Sequence, residues 1–515
     1  MKNEPLQDLN EQTGSHFERR IGLFGASALG AGLVIGVGLF TVATNAVGYL
    51  GPLLLVGNGF AFVVSLLTSL VYAELSAALP YSGGSYNYAF EAWGKKLGPF
   101  AGFMAAWIVI ESLFFVGAEA LAFANYFLST LDFFGIWHSL IGGVIPFGPA
   151  AVVAIVLILV FTVLNWRGIK GVDRTQRIIM IVMWSFMFIS TAVALIMYGD
   201  LSNYHPLVPE GFQFSMFLPA ATLIWWAYAG QEVIGAMGEE IKFPTVNMPR
   251  ALIIVPMIVF LVTVTLQWLV VGLIPDITIL RDASAPFALA LQVAGVGGVI
   301  FLMLMIAEFC GNFSTVNPVL TGASRTWFAM GRDGYLPTII GKLNPKHNTP
   351  AFAIWFNSIL VIVLLATKGL TFVASISSFS FLALYAFVSI SHIALRITRP
   401  ELKRPFKTPL YPVLNIVVIG FCVWMMFSLG KEVLIGGLSW LVLAAVVYLL
   451  WNKTSWGKKA KKEVTFFRSE ATLPAEPTKE EKVVLDKEWH RMLLIIGVIA
   501  AVIFAMIAIT YFMGA

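Results

Sequence analysis

The chain has 515 residues, of which 58% are hydrophobic and 12% are charged, with a net charge of +5. A soluble globular domain carries about twice that share of charged residues, and the mean hydropathy here is +0.84. These values exclude an ordinary soluble enzyme and predict an all-α polytopic membrane protein. Both cysteines, Cys310 and Cys422, lie in apolar stretches and are expected to be free thiols that bind no metal.

In chain order, the first predicted element is a polar segment that carries both charge signs and indicates a cytoplasmic tail, not a signal peptide. Apolar runs of roughly 17 to 25 residues then predict thirteen membrane-spanning helices. A charged linker precedes the thirteenth, which is expected to be an accessory helix. The predicted ranges are 1–20 for the tail, 21–199 for spans one to five, 216–395 for spans six to ten, 410–451 for spans eleven and twelve, 452–490 for the linker and 491–513 for span thirteen.

The distribution of basic residues tests this count of spans. Thirty of the 33 Lys and Arg residues fall in segments that the count places on the cytoplasmic side, and the exceptions are Arg281, Lys368 and Lys431. Cytoplasmic loops of membrane proteins carry an excess of Lys and Arg. The sequence therefore predicts a multi-pass protein with a cytoplasmic N-terminus and an extracellular C-terminus.

The first and sixth predicted spans contain similar glycine interruptions, GAGLVIGVGLF at 30–40 and WWAYAGQE at 225–232. Paired interruptions are typical of inverted-repeat transporters, in which unwound backbone near the bilayer midplane binds the substrate. Spans one to five and six to ten would then be the two repeats. Close helix packing at Gly36 and Gly38 is the alternative explanation, and the matching break in the sixth span counts against it.

Further motifs occur in order along roughly the first 450 residues. They are IGVGLF at 35–40, YAEL at 72–75 followed by Pro80 and GGSYNY at 83–88, EEIK at 239–242 followed by Pro244, Asn247, Pro249 and Arg250, and SR at 324–325 followed by GRDGYLP at 331–337. Together they resemble the motifs of the amino acid–polyamine–organocation transporter superfamily. The resemblance implies a plasma-membrane amino acid permease with a leucine-transporter-type fold of two inverted five-helix repeats plus two helices. The thirteenth span departs from that pattern.

The resemblance also implies a substrate site at the two interruptions. Backbone at Gly36, Val37 and Gly38 would receive a substrate carboxylate, and the backbone around Ala227, Ala229 and Gly230 would receive its ammonium group. Helix N-termini favour anions and unwound carbonyls favour cations. An α-amino acid carries both groups close together.

Three aromatic residues flank the sixth-span interruption. Trp226 aligns with an aromatic residue that gates the substrate in parts of the superfamily, and Tyr228 is a second gating candidate. For Trp225 we favour packing or lipid contact over a role in the site.

Acidic residues inside a bilayer cost roughly 2.5 to 3.5 kcal/mol each and so need an explanation. Glu232 matches a superfamily glutamate and is the candidate for a coupling or gating proton, with a hydrogen bond to a neighbouring helix as the alternative. Glu111 is expected to bind a substrate amine or to take up and release a proton. The sequence suggests no role for Glu308. Glu74 and Glu119 are interpreted as interfacial.

The residues give less direct evidence about which ion drives transport. Some relatives carry a lysine in the fifth span where others bind sodium, and the segment 178–190 has none. Ser314 and Thr315, together with carbonyls of the first span, are candidate sodium ligands, although Ser and Thr often bond to their own helix. Proton symport or exchange is expected ahead of sodium coupling.

Other functional classes fit the sequence less well. Five of the six histidines lie in or beside loops and only His392 lies near a span end, which argues against a membrane enzyme. No cofactor or nucleic acid partner is expected, and a channel would show filter segments or charged rings. A polyamine permease and a nutrient sensor that has lost transport remain the alternatives.

Overall fold

The computed structural model of the protein consists of helices joined by turns and loops in the part of the chain that it describes, where no β-strand forms. The described residues are 19–36, 38–112, 114–133, 148–168, 172–283, 285–365, 370–455, 457–458, 474 and 476–514.

Eighteen helices are named here in chain order. In the first part of the chain they are α1 (Leu23–Val34), α2 (Thr44–Leu50), α3 (Leu54–Ala78), α4 (Ser85–Ala92), α5 (Gly94–Ser112), α6 (Phe114–Phe133), α7 (Pro149–Arg167) and α8 (Val172–Tyr198). In the second part they are α9 (Phe214–Trp226), α10 (Val233–Ala236), α11 (Pro244–Leu273), α12 (Pro286–Val293), α13 (Gly298–Arg332), α14 (Ala351–Leu365) and α15 (Leu370–Thr398). The last three are α16 (Val413–Ser428), α17 (Lys431–Lys453) and α18 (Lys479–Gly514).

Length and composition identify the segments that cross the membrane. Within the described residues, nine helical segments are long and apolar enough to span a bilayer, and four further apolar helices are shorter. The shorter ones lie at Leu23–Gly32, Phe214–Trp226, Ala351–Val363 and Val413–Ser428. The expectation of an all-α polytopic membrane protein is therefore confirmed, and the count of thirteen crossings stays a prediction.

Burial distinguishes the centre of the molecule from its edge. Helix α11 packs along α1, α3 and α8, and 83% of its most apolar window is buried in the protein. Helix α18 packs on α11, on α1 and on the turn at Leu201–Tyr204, and only 17% of its window is buried. A helix that is apolar on all sides and mostly uncovered by protein requires lipid around it. This peripheral position agrees with the accessory role expected for the last span.

Helix α18 begins in the charged segment that the sequence analysis assigned to the linker. Thr478 and Glu481 form reciprocal bonds at its start, Thr478 N to Glu481 Oε2 at 2.8 Å and Glu481 N to Thr478 Oγ1 at 3.3 Å. This capping box satisfies backbone N–H groups that a helix start leaves free. The helix then continues without a break to Gly514, so its polar turns and its apolar span form one element.

Motif residues that are far apart in sequence meet at one end of the bundle. Arg325 Nε donates to Glu240 Oε1 at 3.0 Å, and Ser82 N donates to Glu239 Oε1 at 3.0 Å. Arg19 donates to the carbonyls of Gly238 and Ile241 at 2.8 and 2.9 Å. The segment after α10 is thereby tied to the start of α1, to α4 and to α13.

Glu74 lies in an ionic cluster near the end of α3, and its interpretation as an interfacial residue stays a prediction. Its carboxylate is buried, and it accepts bonds from Arg396 at 2.9 and 2.5 Å and from the Thr408 N–H at 2.6 Å. Arg404 and His392 approach it to 3.2 and 3.0 Å. Partners from α15 and the following loop cover the carboxylate and compensate its charge.

Candidate functional site

The first interruption lies where its glycines predict it. Helix α1 ends at Val34, and Ile35 leaves the helix with φ −89° and ψ 84°. The chain then runs as a π-helical turn over Gly38–Ala43 before α2 begins at Thr44. Val37 lies outside the described residues. The predicted break in the first span is confirmed.

The second interruption is a compact turn between α9 and α10. Helix α9 ends at Trp226, and the next N–H groups form bonds over three residues, Ala227 to Ile224 at 3.0 Å and Tyr228 to Trp225 at 2.8 Å. Gly230 has φ +115°, a conformation that side-chain-bearing residues rarely adopt. The predicted break in the sixth span is therefore also confirmed, and its glycine has a specific conformational role.

The two interruptions contact each other. A Cβ atom added to Gly38 would lie 2.9 Å from the Cα of Ala227 and 3.3 Å from Cε3 of Trp226. Real Cβ atoms do not approach backbone that closely, so only glycine fits at position 38 in this arrangement. Three of the predicted substrate residues thus come together at one place.

Hydroxyl groups of α13 cover the carbonyls that the first break leaves free. Thr315 Oγ1 lies within hydrogen-bond distance of the carbonyl oxygens of Gly32 at 3.0 Å and Ile35 at 3.3 Å. Ser314 Oγ lies 3.1 Å from the same Gly32 oxygen. Both side chains also bond to Gly311 in their own helix. The predicted contact with the first span and the local alternative therefore occur together.

Two further side chains, which the sequence analysis missed, bind the π-helical turn. Tyr126 Oη donates to the Phe40 carbonyl at 2.6 Å, and Gln267 Nε2 donates to the Ala43 carbonyl at 2.6 Å. Both side chains are fully buried, on α6 and α11. An uncharged donor within an otherwise apolar span was the only sequence signal, and it does not indicate which carbonyl it serves.

Glu232 is buried just after the second break and is bound to Tyr385 of α15. Tyr385 Oη donates to Glu232 Oε2 at 2.5 Å and accepts from Gly230 N at 3.0 Å. The hydrogen bond to a neighbouring helix, which was the structural alternative for Glu232, is present. Tyr385 links this carboxyl group to the backbone of the break, and the sequence analysis did not identify it.

The remaining residues of the second break face the protein. Tyr228 Oη lies 3.3 Å from Asn58 Oδ1 on α3, and Gln231 accepts from Ser69 Oγ at 2.6 Å. Trp225 is fully buried against Tyr385, with ring centroids 5.9 Å apart, so it packs inside the protein and does not face lipid.

Trp226 instead packs in a cluster of aromatic rings near the contact of the two breaks. Its ring centroid lies 5.0 Å from that of Phe115, which lies 5.6 Å from Phe381. A cavity of about 20 Å³ beyond these rings is lined by Glu232, Ser112, Thr326 and others. That volume holds about one water molecule. The arrangement is closed around the breaks.

Glu119 faces the first break, and its interpretation as an interfacial residue stays a prediction. A Cβ atom on Gly36 would collide with the Glu119 carboxylate, 2.9 Å from Cδ, and with the Thr315 hydroxyl. Position 119 lies in α6, within the apolar helical segment Gly94–Asp132.

Glu308 and Glu111 are the other two acidic residues within predicted spans. Glu308 is fully buried and bonds through Oε1 to Asn312 one turn later, while its Oε2 has no hydrogen-bond partner among the described residues. Glu111 lies in α5, but its side chain is outside the described part of the chain. Among the described residues, no group of three His, Cys, Asp or Glu side chains could hold a metal ion.

Comparison with known proteins now identifies the family. The sequence profile of the family described as "Amino acid permease" matches residues 21–451, most of the chain. The chain belongs to the amino acid permease family. The expectation of a transporter, and not an enzyme, is therefore confirmed.

Individual relatives extend over nearly the same length. The branched-chain amino acid permease BcaP of Bacillus subtilis is 29% identical over 467 residues, covering 88% of this chain and 97% of the relative. The methylthioribose transporter of the same organism is 28% identical, with 88% and 97% covered. The human large neutral amino acids transporter small subunit 2 is 27% identical, with 87% and 83% covered. The chain is thus similar to these transporters over 83% to 97% of their length.

Proposed function

We propose that this permease carries neutral amino acids with bulky apolar side chains across the plasma membrane by alternating access. The two repeats would be residues 21–199 and 216–395, related as in leucine-transporter-type proteins, with 410–451 outside them. The observation that carries the proposal is the direct contact of two interrupted helices, Gly38 against Ala227. Interrupted helices of this kind expose backbone groups to a polar substrate within the membrane.

The polar ends of an amino acid suit the backbone at the two breaks. The carboxylate would bind N–H groups around Gly36, Val37 and Gly38, and the ammonium would bind carbonyls around Ala227, Ala229 and Gly230. Movement of Trp226 away from the contact would open room for the substrate.

Two observations support a bulky apolar side chain. The rings of Trp226, Phe115 and Phe381 adjoin the breaks and offer apolar contact area. Two relatives carry names that specify branched-chain and large neutral amino acids. Methylthioribose, which another relative transports according to its name, has neither a carboxylate nor an ammonium group and serves as a test of the backbone contacts.

For coupling we favour a proton carried by Glu232. This carboxyl group is buried, its bonded partner Tyr385 is neutral, and that tyrosine also holds Gly230 of the break. Binding and release of a proton at Glu232 would therefore alter the contact that holds the break in place. Amino acid exchange without a coupling ion is the second candidate, and sodium at Ser314 and Thr315 is the third.

The test is uptake by proteoliposomes that contain the purified protein. The panel comprises leucine, phenylalanine, lysine, spermidine and methylthioribose, supplied first with an imposed pH gradient without sodium and then with a sodium gradient at equal pH. We expect leucine and phenylalanine to accumulate under the pH gradient. Glu232→Gln should lose accumulation and keep exchange against preloaded amino acid, whereas Glu432→Gln, an exposed acid on α17, should behave as wild type.

Other outcomes would point to the alternatives. Accumulation only with sodium would assign coupling to Ser314 and Thr315, and selective spermidine uptake would identify a polyamine permease. Binding of amino acids without flux, including exchange, would identify a sensor. Methylthioribose uptake equal to that of leucine would contradict the role of the backbone groups at the breaks.

The predicted orientation has its own test. Met513 and Lys403 are exposed at opposite ends of the predicted topology. We expect Met513→Cys in intact cells to react with a membrane-impermeant maleimide, and Lys403→Cys to react only after the cells are opened. The reverse pattern would invert the orientation.

A further inference from the structure

A groove of about 390 Å³ lies between α1, α8, α11 and α18, away from the two breaks. Its walls are apolar, with Met180 and Ile181 from α8, Leu261 from α11, and Ile495 and Ile499 from α18. A groove between membrane helices at the edge of the bundle is open to lipid. Its walls therefore suit a hydrocarbon chain.

The length of the groove corresponds to one leaflet. It extends along α18 from Glu488 to Ile499, which is about 16 Å at a rise of about 1.5 Å per residue. Half of the bilayer hydrocarbon thickness is about 15 Å. The charged end of the groove lies beside Phe24 at the start of α1, so the groove runs from the membrane surface toward the midplane.

Two polar atoms interrupt the apolar walls. Ser27 Oγ and Trp184 Nε1 are buried at the groove, and neither has a hydrogen-bond partner in the described part of the chain. A hydroxyl or indole N–H that is buried in an apolar region without a partner is costly. Both groups are hydrogen-bond donors. A ligand in the groove with acceptor oxygens at this depth would therefore satisfy them.

Opposite charges stand at the mouth of the groove. Glu488 and Arg491 are three residues apart on α18 and therefore share a face of that helix. Neither takes part in an ion pair with another described residue. Glu488 Oε1 has only a long contact, 3.4 Å, with Phe24 N. The mouth thus offers one anionic and one cationic group.

The neighbouring charges of α18 are engaged elsewhere. Arg250 of α11 forms an ion pair with Asp486, donates to the Leu485 carbonyl at 2.8 Å and lies 5.6 Å from the Trp489 ring centroid. These contacts hold the first turns of α18 against α11. They fix the helix so that Glu488 and Arg491 border the groove.

We propose that the groove binds one phosphatidylethanolamine molecule from the adjoining leaflet. One acyl chain would lie along the apolar walls, and ester carbonyl oxygens would accept from Ser27 and Trp184. The phosphate would pair with Arg491 and the ammonium with Glu488. The lipid would join α18 to α1, the helix that ends at the first break.

The charges of Glu488 and Arg491 determine which lipid head group fits the mouth of the groove. An ethanolamine ammonium donates charge-assisted hydrogen bonds to a carboxylate, whereas the quaternary ammonium of choline has no N–H to donate. A glycerol head group carries no cation, so its phosphate would lie near Glu488 without a charge to pair with it. Among these three lipids, ethanolamine matches both side chains.

The test is native mass spectrometry of the full chain purified in detergent. Phosphatidylethanolamine, phosphatidylcholine and phosphatidylglycerol with identical acyl chains are added in equal amounts. We expect wild-type protein to retain the ethanolamine lipid about fivefold over the glycerol lipid, the effect of one partly exposed ion pair. Glu488→Gln keeps an acceptor for Phe24 N and should abolish that preference.

A pair of tryptophan variants distinguishes lipid binding in the groove from lipid binding on the rest of the apolar surface. Ile495→Trp places a large side chain into the groove at a position that is 49% exposed, and Val498→Trp makes the same change at a 57% exposed position outside it. We expect lipid retention to fall severalfold in Ile495→Trp only. Equal retention of all three lipids by wild type, unchanged retention in Ile495→Trp, or equal loss in both tryptophan variants would overturn the proposal.

Discussion

The two interrupted helices satisfy their freed backbone groups in different ways. The first break relies on side chains from three other helices, Thr315 of α13, Tyr126 of α6 and Gln267 of α11. The second break closes on itself through turns over three residues and uses one outside group, the Tyr385 hydroxyl at Gly230. Every backbone group inside a bilayer needs a partner, and these are two solutions to that requirement.

The difference indicates which break is free to move. Displacement of the first break would remove its backbone partners on three helices, whereas the backbone of the second break keeps its internal bonds and loses the Tyr385 contact at Gly230, together with the side-chain bonds of Tyr228 and Gln231. We therefore expect the second break, with Trp226 and Glu232, to rearrange during transport, and the first to stay with its scaffold. Four substitutions test this expectation.

The largest effect is expected for Gly38→Ala. The added methyl group would meet the Ala227 backbone at 2.9 Å and force the two breaks apart, at a cost of about 1 to 3 kcal/mol. We expect leucine uptake by proteoliposomes to fall at least about tenfold. Gly22→Ala is the matched control, because an added Cβ there has no atom within 4 Å. Normal uptake by Gly38→Ala would show that the breaks are not in contact.

Tyr385→Phe should have the next largest effect. The change removes the hydroxyl that serves both Glu232 and Gly230 N–H, and an unsatisfied buried group costs about 1 to 3 kcal/mol. We expect uptake driven by a pH gradient to fall about tenfold, with a smaller loss of exchange. Tyr198→Phe, at the end of α8, is the control. Equal losses of driven uptake and exchange would assign Tyr385 to folding or binding and not to coupling.

Thr315→Val tests the first break, and we expect an intermediate reduction in uptake. The side-chain shape is kept, and the carbonyls of Gly32 and Ile35 lose one nearby hydroxyl while Ser314 remains beside Gly32. Loss of one hydrogen bond costs about 1 kcal/mol, so we expect a reduction in uptake of about fivefold at every sodium concentration. A reduction that appears only in sodium would show that this hydroxyl binds the cation.

Tyr228→Phe should have the smallest effect. Its hydroxyl has a 3.3 Å contact with Asn58, and the aromatic ring is retained. We expect the apparent affinity for leucine to change by less than about twofold, the value of a weak hydrogen bond of at most about 0.5 kcal/mol. A tenfold change would support the gating role that the sequence suggested for Tyr228.

Features that depend on neighbouring residues were predictable from the sequence. The membrane class follows from composition, because a chain with 12% charged residues cannot cover a water-facing surface. Both helix breaks were predicted from glycines in the sequence, and Gly230 adopts φ +115°, a conformation that favours glycine locally. Motif resemblance then brought Gly38, Trp226, Ala227 and Glu232 into one predicted site.

Partners that lie far apart in the chain were decided only by helix packing. Glu232 and Tyr385 are separated by 153 positions and Glu74 and Arg396 by 322, and nothing local to either residue specifies the other. The position of Glu119 against Gly36 also depends on how α6 lies beside the end of α1. The groove at α18 likewise exists only where four helices meet. Local backbone preferences act within a few residues, whereas burial and hydrogen bonding between helices depend on the whole arrangement.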